Sequence, residues 1–81
     1  MSTMREALLA HPDIDLDWIV RTPDDIWHLI GAEGADIAAW SEADGGWDYY
    51  DERTESTIWY DGSPADLTLM LTRIADAQRD V

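Results

Sequence analysis

The chain has 81 residues, with 18 Asp and Glu against five Arg and no Lys, and its formal net charge is −13. The length limits it to one small domain. Because it contains no Cys and no Lys, disulfides, thiolate metal sites and lysine chemistry are excluded. Electrostatic attraction to DNA, RNA or anionic membranes is also excluded, since all of them are polyanions.

Apolar residues make up 46% of the chain, and five Trp and three Tyr are spread along it. A hydrophobic core is therefore available, and we expect residues 1–81 to fold as a single acidic domain. The sequence contains no run of about 20 apolar residues that predicts a membrane span. The first 20 residues also lack a basic segment followed by an apolar one, so we expect a cytoplasmic protein.

Three segments carry a helix-start signature, in which a hydroxyl residue stands three positions before an acid. A hydroxyl at the N-cap accepts a backbone N–H, and an acid in the first turn complements the helix dipole. The segments are Thr3–Glu6, Thr22–Asp25 and Ser63–Asp66. They predict helices over about 4–10, 23–31 and 64–79. The third has an apolar stripe at helical spacing, formed by Leu67, Met70, Leu71, Ile74 and Ala77 or Gln78.

Between the first two predicted helices, Asp13, Asp15 and Asp17 alternate with two apolar residues. Alternation is the strand period, so the pattern predicts a short strand with three carboxylates in a row on one face. The apolar residues at 18–20 break the alternation, which leaves a short helix over 15–20 as the alternative.

Residues 36–61 predict a β-meander, because strands rich in Trp, Tyr, Ile and Thr alternate here with polar turns. The predicted strands are 37–42, 47–51 and 56–60, separated by turns at 44–46 and 52–55. The predicted fold class is therefore α+β: one small domain in which a three-stranded antiparallel meander packs with about three α-helices.

The negative charge is concentrated in the meander. Residues 31–62 hold nine acids and one Arg, net −8, whereas residues 63–81 hold three acids and two Arg, net −1. Alternate residues of a strand project about 6.6–6.8 Å apart, a pitch close to that of backbone phosphates. The sequence therefore predicts a functional acidic face for a basic partner. The candidate contacts are Asp44, Asp48, Asp51, Glu52 and Glu55, with Tyr50 beside them, and secondarily Asp13, Asp15 and Asp17.

Patterns typical of catalysis or metal binding are weak in this sequence. The spacing of Asp13, Asp15 and Asp17 is that of a calcium loop, but its sixth and twelfth positions hold Trp18 and Asp24 instead of Gly and Glu. His11 and His28 have no His partner at ligand spacing, and no serine stands in a nucleophile elbow. We therefore expect no enzyme activity, no cofactor and no metal.

The small size, the lack of Lys and the acidic, aromatic segment Trp47-Asp48-Tyr49-Tyr50-Asp51-Glu52 resemble phage-encoded inhibitors. These include anti-CRISPR proteins and other DNA mimics. The resemblance covers the general character of the chain and no diagnostic motif, so it transfers no residue roles. It implies a protein of the host cytoplasm that occupies the positive channel in which a CRISPR effector holds its nucleic acid.

The resulting prediction is a non-enzymatic inhibitor that binds a basic nucleic-acid-handling protein, most plausibly a CRISPR effector subunit. An alternative is an acidic immunity or antitoxin module that binds a basic toxin, and a third is a small acid–base or metal-dependent enzyme. The nearly neutral C-terminal helix is also the one predicted surface on which two copies could pair without acidic repulsion.

Overall fold

The computed structural model describes residues 3–79. It contains one five-stranded antiparallel sheet backed by two α-helices. The strands follow one another across the sheet in chain order. The helices are α1 (Thr3–Ala10) and α2 (Pro64–Arg79). The strands are β1 (Ile19–Arg21), β2 (Ile26–Ile30), β3 (Asp36–Ala43), β4 (Gly46–Asp51) and β5 (Ser56–Tyr60). Short 3-10 helices, Leu16–Trp18 and Ala32–Gly34, precede β1 and β3.

The predicted class, α+β, is right, but three strands and about three helices were the wrong count. Two of the predicted helices are present as α1 and α2, and the predicted meander is present as β3, β4 and β5. Two further strands extend the sheet beyond the meander. β2 lies within residues 23–31, where a helix was predicted, and β1 lies just before them.

The helix over 23–31 was wrong because its start signature forms a turn. The Thr22 N–H donates to the Ile26 carbonyl at 2.9 Å, and the Ile26 N–H donates to the Thr22 hydroxyl at 3.2 Å. Thr, Pro and Asp are as typical of such turns as of helix starts. Trp27 and Leu29, two residues apart, are both buried, and this is the period of a strand.

The strand predicted over residues 13–17 was also wrong, and the alternative of a short helix within 15–20 is the closer one, because Leu16–Trp18 is a 3-10 helix. The Asp15 carboxylate accepts the Asp17 N–H at 2.9 Å and caps the 3-10 helix Leu16–Trp18. A side chain from α2 holds the same segment, because the Gln78 amide donates to the Asp15 carbonyl at 2.7 Å and accepts the Asp15 N–H at 2.8 Å. The three carboxylates therefore do not form a strand row.

Gln78 is expected to fasten this segment to α2. Gln78→Ala removes both hydrogen bonds and is expected to lower the free energy of unfolding by about 1–3 kcal/mol, at roughly 0.5–1.5 kcal/mol for each bond. Gln78→Glu keeps the acceptor and loses the donor, so its loss should be intermediate. Urea unfolding of the three proteins gives the comparison, and equal stability of all three would contradict the role.

Both helices pack on the same face of the sheet, here called the covered face. One hydrophobic cluster joins them to the strands, and Trp40 and Tyr49 stack at its centre with ring centroids 5.9 Å apart. The buried members from the helices are Met4, Leu8, Met70, Leu71, Ile74, Ala75 and Ala77. The buried members from the strands are Trp27, Leu29, Ala38, Trp40, Tyr49 and Tyr60. The opposite face of the sheet carries no helix within the described residues.

Gly46, the first residue of β4, has no room for a side chain. A Cβ built there lies 2.3 Å from the Tyr60 carbonyl oxygen and 2.5 Å from the Trp59 indole. Gly46→Ala is therefore expected to lower the free energy of unfolding by about 2–3 kcal/mol, as in other overpacked sites. Because the nearest atom belongs to the Tyr60 backbone, part of the loss is expected to remain in a Trp59→Ala background, which removes only the two ring contacts. A loss that disappears in that background would contradict the assignment.

Candidate functional surface

The sheet face without helices, here called the open face, holds two rows of side chains. The cross-strand register defines each row, because residues opposite one another project from the same face. The first row is Ile26, Ser41, Asp48 and Trp59, and the second is Val20, His28, Ala39, Tyr50 and Thr57. Trp59 is 46% and Val20 51% exposed. Two sequence-predicted contacts, Asp48 and Tyr50, therefore lie side by side on an uncovered surface.

A group of acids lies at the end of the sheet formed by the β1–β2 and β3–β4 turns. We call this group the first rim; its members are Asp24, Asp25, Glu42, Asp44 and Asp61, all exposed. Arg21 ion-pairs with Asp25 and lies 5.6 Å from the Trp27 ring centre. A cleft of about 860 Å³ here is lined by Arg5 and Arg21 as well as by four of these acids. Cations therefore offset part of the charge of the first rim.

A second rim of acids lies at the opposite end of the sheet, where β2 leads to β3 and β4 leads to β5. Its members are Glu33, Asp36, Glu52 and Glu55, all exposed. Arg53 lies in the same β4–β5 turn, and its guanidinium ion-pairs with Asp51 at 3.2 Å. Two of the predicted contacts, Glu52 and Glu55, thus form part of a distinct acidic edge beside Tyr50.

Asp48 and Trp59 face each other across β4 and β5. The Trp59 ring lies against Gly46, where a Cβ would meet two of its ring carbons at 2.5 and 2.7 Å. The backbone of Gly46 therefore supports one side of the ring. An arginine from a partner can stack on an exposed indole and bind a neighbouring carboxylate, because a planar guanidinium suits both contacts.

Tyr50 lies in a negative environment. The partial burial of its ring and the carboxylates of Glu52, Glu55 and Asp51 raise its pKa above the ordinary value of 10.0. Two of these carboxylates, Glu52 and Glu55, belong to the second rim, which therefore disfavours ionisation of the Tyr50 hydroxyl. Asp48 and Tyr50 are therefore neighbours on the open face of β4, and Glu52 follows them in the β4–β5 turn.

Asp51 was predicted as a surface contact, but the structure places it on the covered face. Its side chain is 2% exposed and accepts hydrogen bonds from the Arg53 backbone N–H at 2.9 Å and from the guanidinium at 3.2 and 3.3 Å. These bonds hold the pKa of the Asp51 carboxyl below its ordinary value. We therefore remove Asp51 from the contact set.

The remaining predicted contacts are exposed but separated. Asp44 lies in the β3–β4 turn, at the first rim. Asp13, Asp15 and Asp17 precede β1, at the far side of the sheet from Asp48, Tyr50 and Trp59. The structure thus brings Asp48, Tyr50, Glu52 and Glu55 together, and it leaves the three N-terminal acids apart.

Sequence reasoning missed Trp59, Val20, Ile26 and His28 as parts of the surface. Trp59 was counted only as an aromatic strand residue, because its face depends on the register between β4 and β5. The other three lie on β1 and β2, which were not predicted as strands. His28 lies on the open face with its Nδ1 3.6 Å from the Asp36 carboxylate.

No known protein family, curated protein or solved structure matches this chain. Among residues 3–79, no three His, Asp or Glu side chains are placed to hold a metal ion. None of the helices in the same range has the length and apolar character needed to span a bilayer. The functional argument therefore depends on the surface itself.

Proposed function

We propose that this protein binds a basic nucleic-acid-handling protein through the open face and the second rim, and inhibits it without catalysing a reaction. The binding surface consists of Asp48, Tyr50, Trp59, Glu52 and Glu55. The carboxylates of this surface compete with nucleic-acid phosphates for the cations of the partner. Asp44 and the rest of the first rim add a longer-range field that steers association.

The observation that carries the proposal is the Asp48–Trp59 pair. An acid beside a supported, exposed indole is complementary to an arginine, the residue that proteins use most for phosphate recognition. Aromatic residues and arginine are also enriched in the energetically dominant parts of protein interfaces. A surface of this kind selects an arginine-rich partner over a merely cationic one.

The order of groups along β4 supports competition with nucleic acid. Asp48 and Tyr50 are successive open-face positions, about 6.6–6.8 Å apart, and Glu52 follows in the turn, so carboxylates stand on both sides of an aromatic ring. Among basic partners we place CRISPR effector subunits first, because they hold a long heteroduplex in a positively charged channel. The acidic surface then occupies part of that channel.

The apolar residues on the β1 and β2 side of the open face favour a second candidate, an immunity or antitoxin module. Val20 and Ile26 are exposed there beside Ala39, and this patch fits a protein surface better than a phosphate channel. In that case the partner is a basic toxin, and the patch contacts apolar residues around its active site.

Capture from a lysate of the cells that carry the gene tests the proposal. We expect the immobilised protein to retain a basic, nucleic-acid-binding protein at low salt and to release it as the ionic strength rises. Identification by mass spectrometry separates the two candidates, because a captured toxin supports the immunity module. Retention of acidic proteins only would contradict both.

A further inference from the structure

The two edges of the sheet differ in their ability to accept another strand. β1 forms one edge and β5 the other. β1 has three residues, includes Arg21 and is followed closely by Pro23. Short length, charge and nearby Pro are the features by which proteins protect an edge. β5 has five residues, none of them charged or Pro, so its backbone edge lacks these protections.

The register shows which backbone groups of β5 point outward. The Glu52 N–H donates to the Ile37 carbonyl of β3 at 2.9 Å. Directions alternate along a strand, so Asp51, Tyr49 and Trp47 point their backbone groups toward β5. Their partners there are Ser56, Ile58 and Tyr60. The N–H and C=O groups of Thr57 and Trp59 therefore point away from the sheet, where a further strand would pair.

We propose that β5 accepts an extended strand of the partner, which adds a sixth strand to the sheet. Main-chain hydrogen bonds to Thr57 and Trp59 provide the attachment, as in other cases of strand addition. A side chain of the added strand lies opposite Trp59 and extends the first row of the open face. The added strand belongs to the partner of the proposed function, and the expectation that this partner is basic rests on that proposal.

Charge determines which strand fits. Glu55 precedes β5 and Asp61 follows it. Hydrogen bonds from Ser63 lower the pKa of the Asp61 carboxyl below its ordinary value. If a second copy paired antiparallel about Ile58, Glu55 would lie opposite the Asp61 of that copy at both ends, and like charges opposite one another are destabilising. A strand with Arg or Lys at both ends is complementary instead.

A synthetic peptide provides a defined probe. Arg-Thr-Val-Thr-Val-Thr-Arg, centred opposite Ile58, places its two Arg opposite Glu55 and Asp61. We expect it to slow amide hydrogen exchange at Thr57 and Trp59 at least tenfold, with little change at Ser56, Ile58 and Tyr60, which already pair with β4. The same peptide with Glu at both ends is expected to give no protection.

A matched pair of variants tests the backbone contact. Thr57→Pro removes one outward N–H and leaves the pairing with β4 intact, because edge positions of this kind tolerate Pro. Thr57→Val keeps that N–H. We expect the affinity for the Arg-ended peptide to fall at least tenfold in Thr57→Pro and to change less than twofold in Thr57→Val, with both variants folded by circular dichroism.

The exchange measurement on the unmodified protein decides the question if Thr57→Pro does not fold. Absence of protection at Thr57 and Trp59, equal protection by both peptides, or protection at β1 would overturn strand addition. None of these results affects capture of a basic partner from lysate. Failure of that capture with retained peptide protection would instead overturn the proposed function alone.

Discussion

Asp48→Lys combined with Glu52→Lys is expected to weaken binding of the captured partner about 100-fold. Each change replaces an exposed carboxylate of the binding surface by an ammonium group on a longer side chain. Asp48 lies opposite Trp59, so the arginine that stacks on the indole loses its counter-ion and meets an ammonium group. A loss of 100-fold corresponds to about 2.7 kcal/mol, within the range measured for close charge pairs at interfaces.

The matched control is Glu6→Lys combined with Asp76→Lys. These two acids are also exposed, and they lie on α1 and α2, on the opposite side of the sheet from the open face. The control changes the net charge by the same amount as the test variant. It is expected to reduce affinity less than threefold, with unchanged circular dichroism in both variants. Equal losses in the two variants would show that total charge, rather than the open face, governs binding.

Raising the pH from 10 to 12 is expected to remove about 2 kcal/mol of stability through one residue, Tyr49. Its side chain is fully buried on the covered face. Burial and the nearby Asp51 carboxylate raise its pKa from 10.0 to about 12. The unfolded chain releases this proton near pH 10 and the folded chain near pH 12, so the contribution is complete below pH 10. The stability that protonated Tyr49 contributes is lost as the pH rises from about 10 to about 12.

The chain has no Lys, so no ammonium side chain titrates in the same range. Tyr50 also titrates above pH 10, so the assignment to Tyr49 needs a variant that lacks only the Tyr49 hydroxyl. Urea unfolding at pH 9 and at pH 11.5 should show the loss in the unmodified protein. Tyr49→Phe removes the ionisable group and keeps the ring that stacks on Trp40, so this variant should lose much less. An equal loss in the two proteins would contradict the assignment to Tyr49.

Residues close together in the sequence were sufficient to predict α2 and the meander. The apolar stripe of α2 and its Ser63 N-cap are both present, and the Asp66 N–H donates to the Ser63 hydroxyl at 3.2 Å. The Asp44-Gly45 turn, with φ values of 49° and 81°, has the positive φ at both positions that two-residue hairpins require. Each of these elements is specified by residues close in sequence, so pattern reasoning could predict it.

The remaining elements depend on contacts that are distant in sequence. The Thr22–Asp25 segment is compatible with a helix start or a turn, and the pairing of β2 with β3 decides between them. The segment around Asp15 is fixed by Gln78, 63 residues away. Asp51 is the exception: the alternation Trp47, Tyr49, Asp51 already placed its carboxylate on the apolar face, and Arg53 was available as its counter-ion.

Competition with nucleic acid is the measurement that tests the central claim most directly. The captured partner, purified and saturated with its own duplex or guide nucleic acid, is titrated calorimetrically with this protein at low salt. If the acidic surface occupies the nucleic-acid site, saturation should weaken the apparent affinity in proportion to the nucleic-acid concentration. Unchanged affinity, with a complex that contains both ligands, would contradict the account.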